Sequence, residues 1–365
     1  MKRMNPSRVL LSLVIILPLF IVCGILTGAV NIPLSDLFSV VSERISLDQT
    51  QAPHFYQAII FDIRLPRVLL AVFVGAILAV SGAVMQGLFR NPLADPSIIG
   101  VTAGASLGAS LVIVFFTGYQ VPWLSMSVLS AGAFIGGIVA VYIVYSLAKN
   151  PFGTSVATML LAGIGITALV GSLTGFLDFY ANNEMLRRIS LWRMGGLEAA
   201  TFNHVLLAGF VVLLMGTVLP RYSYALNALL LGESEARHLG VDTEKLKKVS
   251  IVFVAAAVGI CVALAGVIGF IGLVVPHIFR LLIGPDHRHL LPASALGGAI
   301  LLVLSDNISR VVLAPVELPV GIITALIGVP FFISLLTRRH SLGFLFYTSD
   351  AAHAETIVAL SSTII

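Results

Sequence analysis

RLPRVLLAVFVGAILAVSGAVMQGLFRNPLADPSIIGVTAGASLGA, residues 64–109, decides the fold class. Two arginines, Arg64 and Arg67, stand at the mouth of a long apolar run. Gly, Asn and Pro break that run at 87–96, and it resumes as a helix rich in Gly, Ala and Ser. A soluble core does not read this way, and a simple membrane anchor does not need it. Interrupted helices and small residues at membrane depth suit a transporter, where backbone lines a cavity or a second helix packs close.

The rest of the chain has the same character. Apolar residues make up 58% and charged residues 10%, against about a quarter charged in an ordinary soluble domain. Apolar stretches long enough for a ~30 Å hydrocarbon core recur along the length. Ten spans are expected, at 9–30, 60–88, 97–117, 123–147, 155–178, 202–220, 248–270, 273–284, 292–313 and 320–337, the eighth being short. The first follows Lys2, Arg3 and Arg8 like a signal peptide. It is too long for an h-region and lacks an A-x-A site, so it reads as a retained span. The fold class is therefore an all-α polytopic membrane protein of about ten transmembrane helices. Nothing points to nucleic acid; the lipid bilayer is the first partner.

Orientation follows from the Lys/Arg bias. With the N-terminus inside, inner loops and tails hold 14 of the 21 basic residues, which favours cytoplasmic N- and C-termini. The outer side keeps Arg44, Arg64, Arg67, Arg187, Arg188, Arg193 and Arg310, and these need a reason. Interfacial snorkelling is the plain one.

LLLGESEARHLGVDTEKLKKVS, 229–250, is the long polar stretch on the inner side. Glu233 and Ser234 suit a helix start, Gly240 a helix stop, and Asp242 with Thr243 a cap for a second helix running into span seven. It reads either as a solvated loop or as two short helices presented to a partner. Other polar segments have plain readings too: NPLADP (91–96) and GTS (153–155) are turn chemistry, and YANNEMLRRISLWRMGGL (180–197) is an amphipathic interfacial helix. Cys23 and Cys261 lie in apolar runs as packing residues. His54, His238, His277, His287, His289 and His340 show no metal-ligand spacing. AGASLGA (103–109) is similar to ASALGGA (293–299), by chance as readily as by duplication.

Glu235-Ala236-x-x-x-Gly240 resembles the E-A-A-x-x-x-G coupling loop of ABC-importer permeases. With RLPR (64–67), SGAVMQGLFRNPLADP (81–96), GFIGLVVPHIFR (269–280) and ELPVGIITALIGVPFF (317–332), the chain resembles the FecCD-type permeases for iron chelates, haem or cobalamin, over roughly 8–340. The resemblance implies a cobalamin-permease-like bundle spanning 1–340 in the bacterial inner membrane, with a tail, 341–365, of unassigned role. It implies a homodimer beside two cytoplasmic ATPase subunits, supplied by a periplasmic substrate-binding protein. Gly232, Glu233, Glu235, Ala236 and Gly240 would form the coupling site, and Arg64, Arg67 and Arg310 would meet glutamates of the binding protein. Asn91, Leu93, Thr154 and Ser155 would form the cytoplasmic gate, and Arg187, Arg188, Trp192 and Met194 would line the vestibule. Two cations beside an aromatic and a thioether suit haem, with its propionates and flat apolar ring; siderophore or cobalamin import by the same mechanism is the alternative. The chain has no G-x-x-x-x-G-K-[ST] phosphate loop, so any ATP is hydrolysed by another polypeptide, and no cofactor or metal is expected on the chain itself. An ion-coupled secondary transporter would place carboxylates at the midplane, yet Asp178, Asp306 and Glu317 fall near outer span ends. An intramembrane enzyme would need H-E-x-x-H or G-x-S-x-G, and neither occurs with supporting partners.

Overall fold

A computed structural model describes residues 3–28, 30, 32–46, 54–116, 122–151 and 153–334. The tail 341–365, together with His340, lies outside the described residues. The chain divides into a compact unit up to Thr324 and a second from Ala325; the described part of the second, 325–334, is helical.

The helices are α1 Pro6–Leu26, α2 Leu34–Ser46, α3 His54–Ala58, α4 Leu65–Leu88, α5 Val101–Phe116, α6 Pro122–Ala148, α7 Val156–Tyr180, α8 Asn183–Arg193, α9 Phe202–Val218, α10 Ser223–Leu229, α11 Glu233–His238, α12 Thr243–Ala265, α13 Ile271–Ile283 and α14 His287–Val311. α15 is Val320–Ser334. A π-helical stretch, Ile59–Arg64, joins α3 to α4 without a break. Among the described residues seven stretches are long and apolar enough to cross a membrane. With the shorter apolar helices α5, α13 and α15 they correspond one for one to the ten expected spans. Between the first two expected spans the chain forms α2 as well as α3.

Some boundaries move for identifiable reasons. Span seven stops at Ala265 because Gly266 takes φ 65°, a conformation that favours glycine. Span nine begins at His287, five residues early: Asp286 caps it by accepting from the Arg288 N–H, and Pro292 is carried within the helix. The only strands among the described residues are Lys149–Asn150 and Gly153–Thr154, an antiparallel pair.

α4 is the hub, packed against α14, α13, α12 and α9. Small residues set the approach. A Cβ on Gly104 would lie 2.3 Å from the Gly136 carbonyl oxygen, and one on Gly108 would lie 2.1 Å from that of Gly132. Two G-x-x-x-G faces thus bring α5 and α6 backbone to backbone. Gly75 and Gly298 do the same for α4 and α14, at 2.3 and 2.2 Å. The likeness between AGASLGA and ASALGGA is thus a shared demand for close packing.

Candidate functional site

Polar chemistry concentrates at the two ends of the bundle. At one end α10 runs through Leu230 and Leu231 to Gly232, whose φ of 136° starts α11 without a side-chain cap. The helix starts at Glu233, as expected, and Glu233 and Glu235 occupy its first turn, where carboxylates meet the positive end of the helix. Ala236 is fully buried and seats the helix. Ser234, Glu235, Arg237, His238, Leu239 and Gly240 are exposed. Gly240 takes φ 81°, and its N–H donates to the Arg237 carbonyl at 2.9 Å. Asp242 then caps α12 by accepting from the Lys245 N–H at 2.9 Å. The polar stretch is therefore two helices joined by a glycine turn.

Beneath them lies Lys247, which the sequence offers as one loop cation among several. Its side chain is only 2% exposed. It lies on the buried α12 stripe Thr243, Leu246, Lys247, Ser250 and Ile251, and a lysine in such a stripe is the signal in the sequence that marks it. Nζ donates to the Thr154 carbonyl (2.8 Å), Glu233 Oε1 (2.9 Å) and Glu244 Oε1 (2.9 Å). Glu244 Oε2 accepts from the Thr154 N–H and hydroxyl, both at 2.9 Å. Arg237 adds a 2.7 Å contact to Glu233 Oε1 and a 3.1 Å bond to the Thr243 hydroxyl. Burial pushes the Glu233 acid up, but Lys247 and Arg237 outweigh it and hold it below the usual carboxylate range.

The remaining candidate gate residues occupy two turns. Ser155 caps α7 by accepting from the Thr158 N–H at 3.2 Å. Asn91 Oδ1 accepts from the Leu93 N–H at 3.0 Å, fixing the turn after α4. Asp95 then caps the 3₁₀ turn Pro96–Ile99. That turn meets α7, where a Cβ on Gly163 would lie 2.0 Å from the Ile98 oxygen.

At the other end, Arg64, Arg67 and Arg310 are buried and bonded within the chain. Arg67 Nε donates to Asp306 Oδ1 at 2.9 Å, and Nη1 donates to Glu317 Oε2 at 2.6 Å. Arg310 Nε stands 3.1 Å from Asp306 Oδ2. Its Nη1 donates to the Thr27 carbonyl (3.0 Å), and Nη2 donates to the Gly24 carbonyl (2.9 Å) and to Asn307. Arg64 donates to the carbonyls of Ile25 (2.6 Å), Leu26 (3.0 Å) and Val30. Two arginines thus cap the C-terminal carbonyls of α1, which has no basic residue in its own last turn. Arg64, Arg67 and Arg310 thus have partners within the chain, which interfacial snorkelling does not require. In this arrangement they are not free rim charges, and docking through them requires an exchange of partners. The available signal was that Asp306 and Glu317 lie at the same span ends.

α8 stands beside this end. Asn182 caps it, and Arg193 Nη2 bonds both oxygens of Asp178 at 3.0 Å, tying it to α7. Arg187, Leu191 and Met194 are exposed at i, i+4 and i+7, hence on one face. Arg188 is exposed, and Trp192 one turn on is partly buried against the core. The helix is held from below by close backbone contact: a Cβ on Gly266 would lie 2.3 Å from the Trp192 oxygen, and one on Gly321 would lie 2.1 Å from that of Met194. Among the described residues no group of three His, Cys, Asp or Glu side chains could hold a metal ion.

The sequence matches the FecCD transport family over residues 14–338. It is 46% identical over 281 residues to the hemin transport system permease protein HmuU of Yersinia pestis, covering 76% of this chain and 83% of that protein. It is 43% identical over 291 residues to the cobalamin import system permease protein BtuC of Halobacterium salinarum, covering 80% and 76%. Among solved structures, an inward-facing metal-chelate-type ABC transporter aligns with a TM-score of 0.76 at 32% identity, covering 91% of this chain and 99% of that one.

Proposed function

The chain belongs to the FecCD transport family and is a permease subunit of an ABC importer, and on that premise we propose that its cargo is haem. As a transport subunit it is not itself an enzyme. The α8 face carries the cargo reading: Arg187 and Arg188 offer charge-assisted bonds to propionates, and Trp192 and Met194 offer an apolar edge to a planar ring. The 46% identity to a hemin permease supports it. Cobalamin is the second reading, favoured by the 43% identity to a cobalamin permease.

In this reading the N-terminus and α11 face the cytoplasm, and the membrane is the bacterial inner membrane. Two copies work with two ATPase subunits. The exposed face of α11, flanked by Leu231 and Leu239, docks an ATPase subunit through Glu235 and Gly240. Asn91, Leu93, Thr154 and Ser155 gate the inner mouth. A periplasmic binding protein meets the Arg64, Arg67 and Arg310 end. There its carboxylates replace Glu317, whose side chain is 32% exposed while that of Asp306 is 1% exposed. The test is growth of an iron-starved host carrying the permease and its cognate partners, fed haem, a panel of ferric siderophores, or neither; cobalamin uptake is measured alongside. Growth on haem alone is expected, and substitution of Arg187 and Arg188 by Ala should slow it. Growth on siderophores without growth on haem would end the haem reading.

A further inference from the structure

We propose that Lys247 is the positioning residue that carries movement of α11 to the turn holding Thr154, so that ATPase docking and the inner gate move as one. The proposal rests on the reading of α11 as the ATPase dock and Thr154 as a gate residue.

The geometry is that of a three-way tie. An ammonium has three donors and no acceptor. All three of Lys247's donors are used, on three different segments: Glu233 of α11, Glu244 at the start of α12, and the carbonyl of Thr154. A lysine is almost never fully buried unless paired, and removing one partner of such a pair leaves a charge uncompensated. The bonds therefore cannot be broken singly at low cost, and the three segments shift together. Among the described residues α11 has two other side-chain links to α12, both at the Thr243 hydroxyl, which accepts from Arg237 and donates to Glu233, and neither goes further. Lys247 reaches beyond α12 to the 153–154 strand.

Thr154 is gripped on both sides of its backbone. Its carbonyl accepts from Lys247, and its N–H donates to Glu244. The next residue, Ser155, is the cap of α7. Any displacement of Thr154 is thus delivered to the N-terminus of a 25-residue helix, of whose most apolar window only 17% is buried. Contiguity alone does not establish coupling, so the test must read coupling itself.

The measurement uses the full assembly, chain with cognate ATPase and binding protein, in vesicles, with ATP hydrolysis and cargo uptake followed together. Lys247→Met keeps the length of the side chain and removes the charge. Uptake should fall roughly tenfold, in the range of ordinary coupling energies, while ATPase subunits still copurify and hydrolyse ATP. Lys247→Arg should restore part of the uptake, which a mere packing role would not. Glu233→Gln removes the charge of the α11 arm, and with it the Arg237 ion pair, and leaves Lys247 bonded to Glu244 and Thr154, so it serves if the Met variant does not fold. Uptake at the unsubstituted level in Lys247→Met, or in Glu233→Gln, overturns the proposal. So does loss of ATPase binding in Lys247→Met, which would make the residue part of the dock. If the unsubstituted chain binds no ATPase at all, the underlying reading fails, and that control separates the two failures.

Discussion

Asp306 lies between two guanidiniums, with one oxygen 2.9 Å from Arg67 Nε and the other 3.1 Å from Arg310 Nε, and its side chain is 1% exposed. Glu317 contacts the same Arg67 from a side chain 32% exposed. Water can take over much of what Glu317 does and little of what Asp306 does. Asp306→Asn should therefore destabilise the protein by about 3–5 kcal/mol, the cost of breaking a buried pair. Glu317→Gln should cost less, about 1.5–3 kcal/mol, as the loss of a charge-assisted bond does. Thermal unfolding in one detergent compares them directly; equal shifts would mean that water reaches Asp306 after all. The arginines themselves were legible, since few outer charges interrupt so apolar a chain. Their partners were not, because Arg67 and Asp306 are 239 positions apart, and no local period connects them. Lys247 was hidden differently: one charge within KLKK is read by its neighbours, and only the buried stripe on α12 singles it out.

The elements were more readable than the contacts they make. Apolar length announced each span, and the caps around Gly240 and Asp242 announced the two helices at 233–238 and 243–265. α2 was missed because its mixed sequence LSDLFSVVSERIS carries no apolar run, and amphipathicity alone competes poorly with the loop signals around it. What small residues do is visible only in the pairing of helices. The α5–α6 contact has Gly108 with no room for a Cβ, whereas Gly171 on α7 faces open space. Gly108→Leu should force the pair apart, at a cost of about 1–3 kcal/mol or more, seen as a lower unfolding temperature and lower yield. Gly171→Ala should be neutral in the same assay. A tolerated Gly108→Leu would mean that α5 and α6 can separate without loss.

Across the whole molecule, composition was enough to place the chain in a bilayer, because lipid leaves few alternatives to helices. It was not enough to say which surfaces meet lipid. α7 offers both kinds: Leu161, Ile164, Leu169 and Phe176 are exposed, and a recess of about 250 Å³ beside it is lined by Ser106, Thr167, Thr174, Asp178 and Arg193. Ala103 and Val170 also line that recess, but its Asp178–Arg193 pair is ill matched to acyl chains and suits contact with a second copy. Purified in mild detergent, the protein should therefore have twice the 38.6 kDa mass of one chain, measured by light scattering with detergent subtracted. A monodisperse single copy would leave the recess facing lipid and count against a two-copy pathway.

The capping of α1 also sets an order of manufacture. Its last carbonyls are answered by Arg64, made some forty residues later, and by Arg310, whose bonds to Gly24 and Thr27 span 286 and 283 positions. α1 is thus completed by a helix made some 280 residues after it. Until α14 emerges, Arg64 alone answers that end, and the Gly24 and Thr27 carbonyls are without their arginine. Quality control that recognises unfinished membrane proteins has there a feature by which to tell an incomplete copy from a complete one.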